Sequence, residues 1–297
     1  MRSFSQGSVA LLCAWALGAA AAPPVSMADL LASSPASDWR PLDPEYTMLM
    51  DLPTGRVVIE LAPAYAPAAV AAIKGLVSQQ WFDAAFILRA QDNYVVQWSR
   101  DEDDLRARAM SHKKLAPEFY RAMDDKLEFV KLDFPDTYAP EVGFSGGFPV
   151  ARDPARKQTW LTHCYGSVGV GRDTAPDTGN GAELYAVIGQ SPRNLDRNVT
   201  LVGRVVEGME LLSVVPRGPA PMGFYAKREQ WIPFKRVRMA SDLPAAERVA
   251  YETLKSDSTT FKALVQSRAT RREEWFQDPV GRIGICNVPL PVRVKAH

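Results

Sequence analysis

Between Tyr46 and Trp98 the spacing of apolar positions changes period twice. Thr47 to Leu52 is a short apolar run, and Pro53-Thr54-Gly55 is a turn. Val57, Ile59 and Leu61 then alternate with Val58 and Glu60, the period of a half-buried strand. Pro67 stands where a helix can begin. Val70, Ile73 and Val77 follow at i, i+3 and i+7, an apolar helical stripe. Ala85 to Ala90 and Tyr94 to Trp98 read as two more strands joined by the turn Gln91-Asp92-Asn93.

Residues 99–158 break this rhythm. Arg100 to Arg108 is densely charged, and Pro135, Pro140, Gly143, Gly146, Gly147 and Pro149 follow. The stretch reads as a long insertion, helical around Pro117 to Leu127 and loop-like afterwards. Strands return at Ser167 to Val170, Leu184 to Ile188 and Thr200 to Val206, and Glu207 to Val214 suits a short helix. Beyond Pro219 the pattern predicts a C-terminal extension with two helices. One begins after Asp242 with Pro244 in its first turn. The other follows Asp257-Ser258 and runs to about Phe276. Ile283 to Val294 is extended. There are no internal repeats.

The first residues change where the protein is expected to work. Arg2 precedes an apolar run of 14 residues, Val9 to Ala22, which closes on small residues before Pro23-Pro24. This is the pattern of a cleavable secretory signal, and it is shorter than the ~20 residues that span a bilayer. The division expected is a signal peptide over 1–22, a linker over 23–44, a folded domain over 45–218 containing the 99–158 insertion, and the extension over 219–297. The location expected is periplasmic or secreted. No later stretch predicts an integral membrane span. Thirty-five basic and 34 acidic residues nearly cancel, so no global field favours nucleic acid. Cys13 leaves with the signal. In an oxidising compartment Cys164 and Cys286 either pair as a disulfide or remain two buried thiols. With only His112, His163 and His297 beside them, they make no metal site.

Short strands with a helix after the second and another near the end suggest a closed antiparallel barrel with two helices. Particular residues go further. The run TGRVVIELAPAYAPAAVAAIKGLVSQQWFD, ending in Phe82-Asp83, resembles the opening of the cyclophilins. Ile87-Leu88-Arg89 stands at that family's Phe-His-Arg, and Tyr94-Val95-Val96-Gln97 at its Phe-Met-Ile-Gln. Ala116 to Phe119, His163 to Gly171, Gly181 to Tyr185, Leu195-Asp196 and VGRVVEGM (Val202 to Met209) follow in the family's order, over about 110 residues. The resemblance implies a mainly β fold, a closed eight-stranded antiparallel cyclophilin-like barrel capped by two helices. It also implies peptidyl-prolyl cis/trans isomerase activity on proline-containing polypeptide clients, without a cofactor. The sequence departs from the family at Leu88 and Val199 (histidines), Val95 (methionine), Glu183 (glutamine), Asn194 (tryptophan) and Arg172 (asparagine).

The chemistry is rotation about an X-Pro amide, whose partial double bond sets a barrier of ~18–20 kcal/mol. No nucleophile or metal is required, only better binding of the twisted amide than of the planar one. In the twisted state the proline nitrogen regains its lone pair, so a fixed donor aimed at it acts on the transition state. By itself Arg89 is an ordinary strand arginine; the resemblance makes it that donor. On a regularly alternating strand it shares a face with Ile87. Gln97 is the second catalytic candidate, holding the arginine and the substrate backbone. Tyr94, Val95, Tyr185 and Leu195 are the expected proline slot. Glu183 either contacts substrate or pairs with Arg89 or Arg172. Ser167 and His163 have no acidic partner at a recognisable spacing, which argues against a hydrolase triad, and Gly166 to Gly171 is too short for a nucleotide loop. The competing reading is a cyclophilin-like peptide-binding or chaperone module of the cell envelope with little or no turnover.

Overall fold

A computed structural model describes residues 26–110 and 113–295. The expected signal peptide, Cys13, His112 and His297 lie outside the described residues. Nine strands form the main sheet. In chain order they are β1 (Thr47–Leu52), β2 (Gly55–Leu61), β3 (Ala85–Ala90), β4 (Val95–Arg100), β5 (Ser167–Val170), β6 (Leu184–Val187), β7 (Leu201–Glu207), β8 (Ile232–Pro233) and β9 (Arg236–Met239). Their spatial order is β8-β3-β4-β6-β5-β7-β2-β1-β9, with every ladder antiparallel.

This is a curled, open sheet, not the closed barrel suggested by the strand pattern, nor the eight-stranded one that the resemblance implies. No ladder joins β3 to β1. Instead one short segment, 232–239, supplies both edge strands. Ile232 lies opposite Ile87, and Arg236 lies opposite Asp51. Between them Phe234 N donates to Ala85 O at 3.2 Å and Lys235 N to Asp51 O at 2.8 Å. Edge groups that closure would have paired are thus met by chain from beyond residue 218, where the sequence pattern ends the domain.

Alternation places Val57, Ile59, Leu61, Val96, Trp98, Leu184 and Val202 in one core, where they meet Val70, Ile73 and Val77 of helix α1 (Pro67–Ser78). Pro67 opens α1 as predicted, but its N-cap, Ala66, has no side chain to cap with. Glu118 does this from the insertion, accepting from Ala68 N at 2.9 Å and Ala69 N at 2.8 Å. A carboxylate there satisfies orphan N–H groups and opposes the positive helix end. Helix α2 (Met209–Ser213) follows β7.

Elsewhere the tertiary structure overrides local propensity. The regular structure of the insertion is mainly β: Arg121–Ala122, Val130–Lys131, Glu141–Ser145 and Phe148–Asp153 join Gln158–Leu161 in a five-stranded sheet. The helix expected over 117–127 is absent, because Arg121 and Ala122 pair with Thr159 and Gln158; the helix that forms is Leu105–Met110. The expected linker carries a helix, Met27–Ala32, and a strand, Trp39–Pro41. That strand pairs with Tyr251–Leu254, which pairs in turn with Val292–Val294. Only the second expected C-terminal helix exists among the described residues: α3 (Thr259–Thr270), capped by Ser258, whose side chain accepts from Phe261 N. Around Asp242 there are only 3-10 turns, Ala240–Asp242 before the expected start and Ala245–Glu247 after it. So short a piece before a strand cannot recover the cost of helix nucleation.

The question left open by the cysteines is answered. Cys164 and Cys286 are bonded, with Cα atoms 5.0 Å apart and a sequence separation of 122. The bridge ties the C-terminal tail to the turn before β5. Cys286→Ser should lower the unfolding free energy by about 2–4 kcal/mol, measured by denaturant melts of oxidised wild type and variant; coincident melts would mean that the bridge adds nothing.

Candidate active site

Four residues in register cross the sheet: Arg89 on β3, Gln97 on β4, Tyr185 on β6 and Gly169 on β5. Their neighbours Val96, Trp98, Leu184 and Ala186 face the core, so this row lies on the opposite face. Arg89 reaches it through an irregularity. Ile87 is opposite Trp98, yet Arg89 is opposite Gln97, with the register shift between them at Leu88. Strict alternation would put Arg89 on the face of Ile87, and the structure instead puts it on the opposite one. The bulge resets the phase, leaving Ile87 fully buried in the core and turning Arg89 toward Gln97.

The Arg89 side chain is held on every side. Nε donates to Met222 O at 2.6 Å and Nη1 to Gln97 Oε1 at 2.7 Å, while Nη2 donates to Gln91 Oε1. The rings of Phe224 and Tyr94 lie 5.0 and 5.8 Å from the guanidinium carbon. Three of its five N–H groups are used and two remain. Among the described residues no carboxylate stands within ion-pair distance of it. Burial pulls its pKa below the ordinary arginine value, and the group stays charged.

Gln97 relays this arrangement. Its oxygen accepts from Arg89, and its Nε2 donates to Glu183 Oε1. Glu183 therefore pairs with neither Arg89 nor Arg172, whose guanidinium binds the carbonyls of Asn198, Asp173 and Ala175. Burial raises the Glu183 carboxyl above its ordinary value, against the opposing effect of the Gln97 hydrogen bond. Glu183 also borders a cavity of about 350 Å³ with Ser99, Arg100, Gly171 and Arg172.

Of the expected proline slot, Val95 and Tyr185 are buried, at 3% and 6% exposure, in a cluster that includes Phe148 and Val150 from the insertion. Tyr94 and Leu195 are partly exposed. The Tyr185 ring crosses Gly169 so closely that a Cβ there would fall 2.3 Å from the phenol oxygen. That oxygen meets His163 Nε2 at 2.9 Å, and burial raises its pKa. His163 Nδ1 meets Asp196 at 3.0 Å, Asp196 accepts from Arg193 at 2.6 Å, and Arg193 binds Asp136 of the insertion at 2.9 and 3.0 Å. So His163 does have an acidic partner, contrary to the sequence reading, 33 residues away. The Ser167 hydroxyl turns instead to Thr162 O and Cys164 N, so no triad forms. The sequence reading missed Gln91, Met222 and Phe224, and the last two lie more than 130 residues from Arg89 with no motif to mark them.

A curled antiparallel sheet with an arginine–glutamine pair and aromatic side chains on the face away from its core has the layout that the sequence motifs imply for a prolyl-peptide isomerase. Residues 47–232, well over half of the chain, match the family described as "Cyclophilin type peptidyl-prolyl cis-trans isomerase/CLD", and the chain belongs to that family of isomerases. The crystal structure of the cyclophilin AquaCyp293 from Hirschia baltica superposes with a TM-score of 0.68 at 23% identity, covering 92% of this chain and 99% of that one, which shows a shared fold. A cyclophilin type peptidyl-prolyl cis-trans isomerase of Cryptosporidium parvum, solved in the presence of the dipeptide Ala-Pro, covers 65% of this chain and 98% of its own at 11% identity, with a TM-score of 0.42, too distant to carry an argument. No curated protein matches the chain.

The raised Glu183 carboxyl has a measurable sign. The folded state keeps a proton that the unfolded chain gives up near 4.5, so this group's contribution to stability is present below that pH and is lost as pH rises through the folded value. Replacing it with Gln removes the dependence. Wild type should therefore lose stability relative to Glu183→Gln in urea melts as pH rises above about 4.5. A difference that is flat, or that favours wild type at the higher pH, contradicts the raised pKa.

Proposed function

We propose that this isomerase assists the folding of exported proteins, with Arg89 donating a hydrogen bond to the proline nitrogen as the prolyl amide twists. The observation that carries the reading is the restraint of Arg89. Three amide or carbonyl oxygens fix the guanidinium while leaving two N–H groups unspent. A donor already oriented before the reaction needs no reorganisation as the lone pair develops. Because its partners are neutral, the positive field is not cancelled beside the reacting nitrogen. Gln97 keeps one amide N–H for a substrate carbonyl, and Tyr94, packed against the cluster of Val95 and Tyr185, supplies the open side of the proline slot. Export is supported by the secretory pattern of residues 1–22 and by the Cys164–Cys286 bridge, which suits an oxidising compartment.

One observation favours a binding module with little turnover: the slot floor, Val95 and Tyr185, is buried in a cluster with insertion side chains. A single assay separates the two readings. Cis-to-trans relaxation of an X-Pro peptide should be accelerated by wild type, and Arg89→Ala should lose about 10²–10³-fold of kcat, the loss typical of removing one oriented donor. Peptide binding without acceleration by wild type supports the binding module; equal rates for wild type and Arg89→Ala remove the arginine from the mechanism.

A further inference from the structure

Where the folded domain passes into the C-terminal extension, residues 216–225 return to the site, and the fold holds this loop tightly. Ala90 N donates to Gly223 O, Gly218 N to Ala90 O and Tyr225 N to Leu88 O, each at 2.9 Å. Phe224 forms a bridge with Arg89 itself. The Tyr225 hydroxyl donates to Pro216 O at 2.6 Å and closes the loop at its base. Gly223 allows the approach: its φ is +74°, and a Cβ there would stand 2.5 Å from Gln91 Cα. The loop is thus pinned to β3 on both sides of the catalytic arginine. Yet two large apolar side chains on it, Met222 and Phe224, remain 50% and 44% exposed. The Phe224 ring lies 5.0 Å from the Arg89 guanidinium carbon.

We infer that Phe224, flanked by Met222, is a specificity-determining residue, an apolar wall that receives the side chain next to the substrate proline and favours aliphatic or aromatic residues there. The inference rests on the reading of Arg89 as the group at the prolyl nitrogen. A substrate so placed has its neighbouring residue within reach of whatever borders Arg89, and on the loop side that border is Phe224. The backbone of the loop has a separate duty: Met222 O positions Arg89 through Nε. An apolar wall binds ground state and transition state alike, so its loss should appear in KM, whereas displacement of Arg89 should appear in kcat.

The test uses two peptide series on the full chain, Ala-Pro-Y and Y-Pro-Ala, with Y as Gly, Asp, Leu or Phe. In one series wild type should prefer Leu and Phe over Gly in kcat/KM by about fivefold or more. This is somewhat less than the ~10-fold or greater discrimination of an enclosed hydrophobic pocket, because the wall is open to water on one side. Phe224→Ala should reduce that preference to about twofold or less through a rise in KM, and Phe224→Leu should restore most of it. No apolar preference in either series with wild type overturns the inference. So does an equal loss for all peptides through kcat, which would make Phe224 a support for Arg89 alone. If wild type turns over none of the peptides, dissociation constants for the same series decide separately. A preference in binding that Phe224→Ala abolishes upholds the wall while the isomerase mechanism falls, and its absence removes both.

Discussion

A guanidinium taken largely out of water without a carboxylate to neutralise it is an expensive object, and the site is built around making one tolerable. Arg89 keeps its charge because oxygens of Gln91, Gln97 and Met222 replace the water it loses. A carboxylate in the same place would stabilise the arginine better and, under the proposed mechanism, serve the reaction worse, since it would cancel the field at the prolyl nitrogen. The chain does carry a carboxylate close by, at Glu183, but Gln97 stands between the two groups. The amide takes the arginine's hydrogen bond on its oxygen and gives its own to the acid, so each charged group has a neutral partner.

Supporting that arrangement takes more chain than the central sheet. The bulge at Leu88 turns Arg89 onto the right face. The loop beyond residue 215 supplies one of the three acceptors and borders the guanidinium with Phe224. The insertion caps α1 through Glu118 and reaches Val95 and Tyr185 of the proposed slot by two routes, apolar through Phe148 and Val150, and ionic through Asp136, Arg193, Asp196 and His163 to the Tyr185 hydroxyl. Burial raises Asp196's pKa, but its hydrogen bond to His163 and the charge of Arg193 hold it below the ordinary range. A buried chain of this kind is stable only when every member is satisfied, and here the last member, Asp136, belongs to the segment that reads from sequence as a long, loop-like insertion.

The three-stranded sheet formed by the N-terminal segment and the extension is fastened in a similar way. Arg204 on β7 binds Glu60 on β2 and the hydroxyl of Thr253, and Arg40 reaches both Glu60 and the carbonyl of Gly146. One buried carboxylate thereby joins the main sheet, the outer sheet and a turn of the insertion. Removing one partner would strand the others without water, so the pieces are mutually dependent.

Sequence by itself determined the parts that depend on neighbours a few residues away. The strands at Thr47–Leu52, Ala85–Ala90 and Ser167–Val170, the start of α1 at Pro67 and the Ser258 cap of α3 were all legible, because side-chain period, proline geometry and capping are local. The order of motifs was enough to recognise the family and to single out Arg89 and Gln97. Tertiary structure alone decided which face Arg89 takes, how the sheet's edges are satisfied, whether the insertion is helix or sheet, and what surrounds the guanidinium. Each of these is settled by satisfying buried polar groups and strand edges, and the partners that do so, Met222 for Arg89, Asp136 for Arg193 and 232–239 for both edges, lie far away along the chain, where no periodicity in the sequence can announce them.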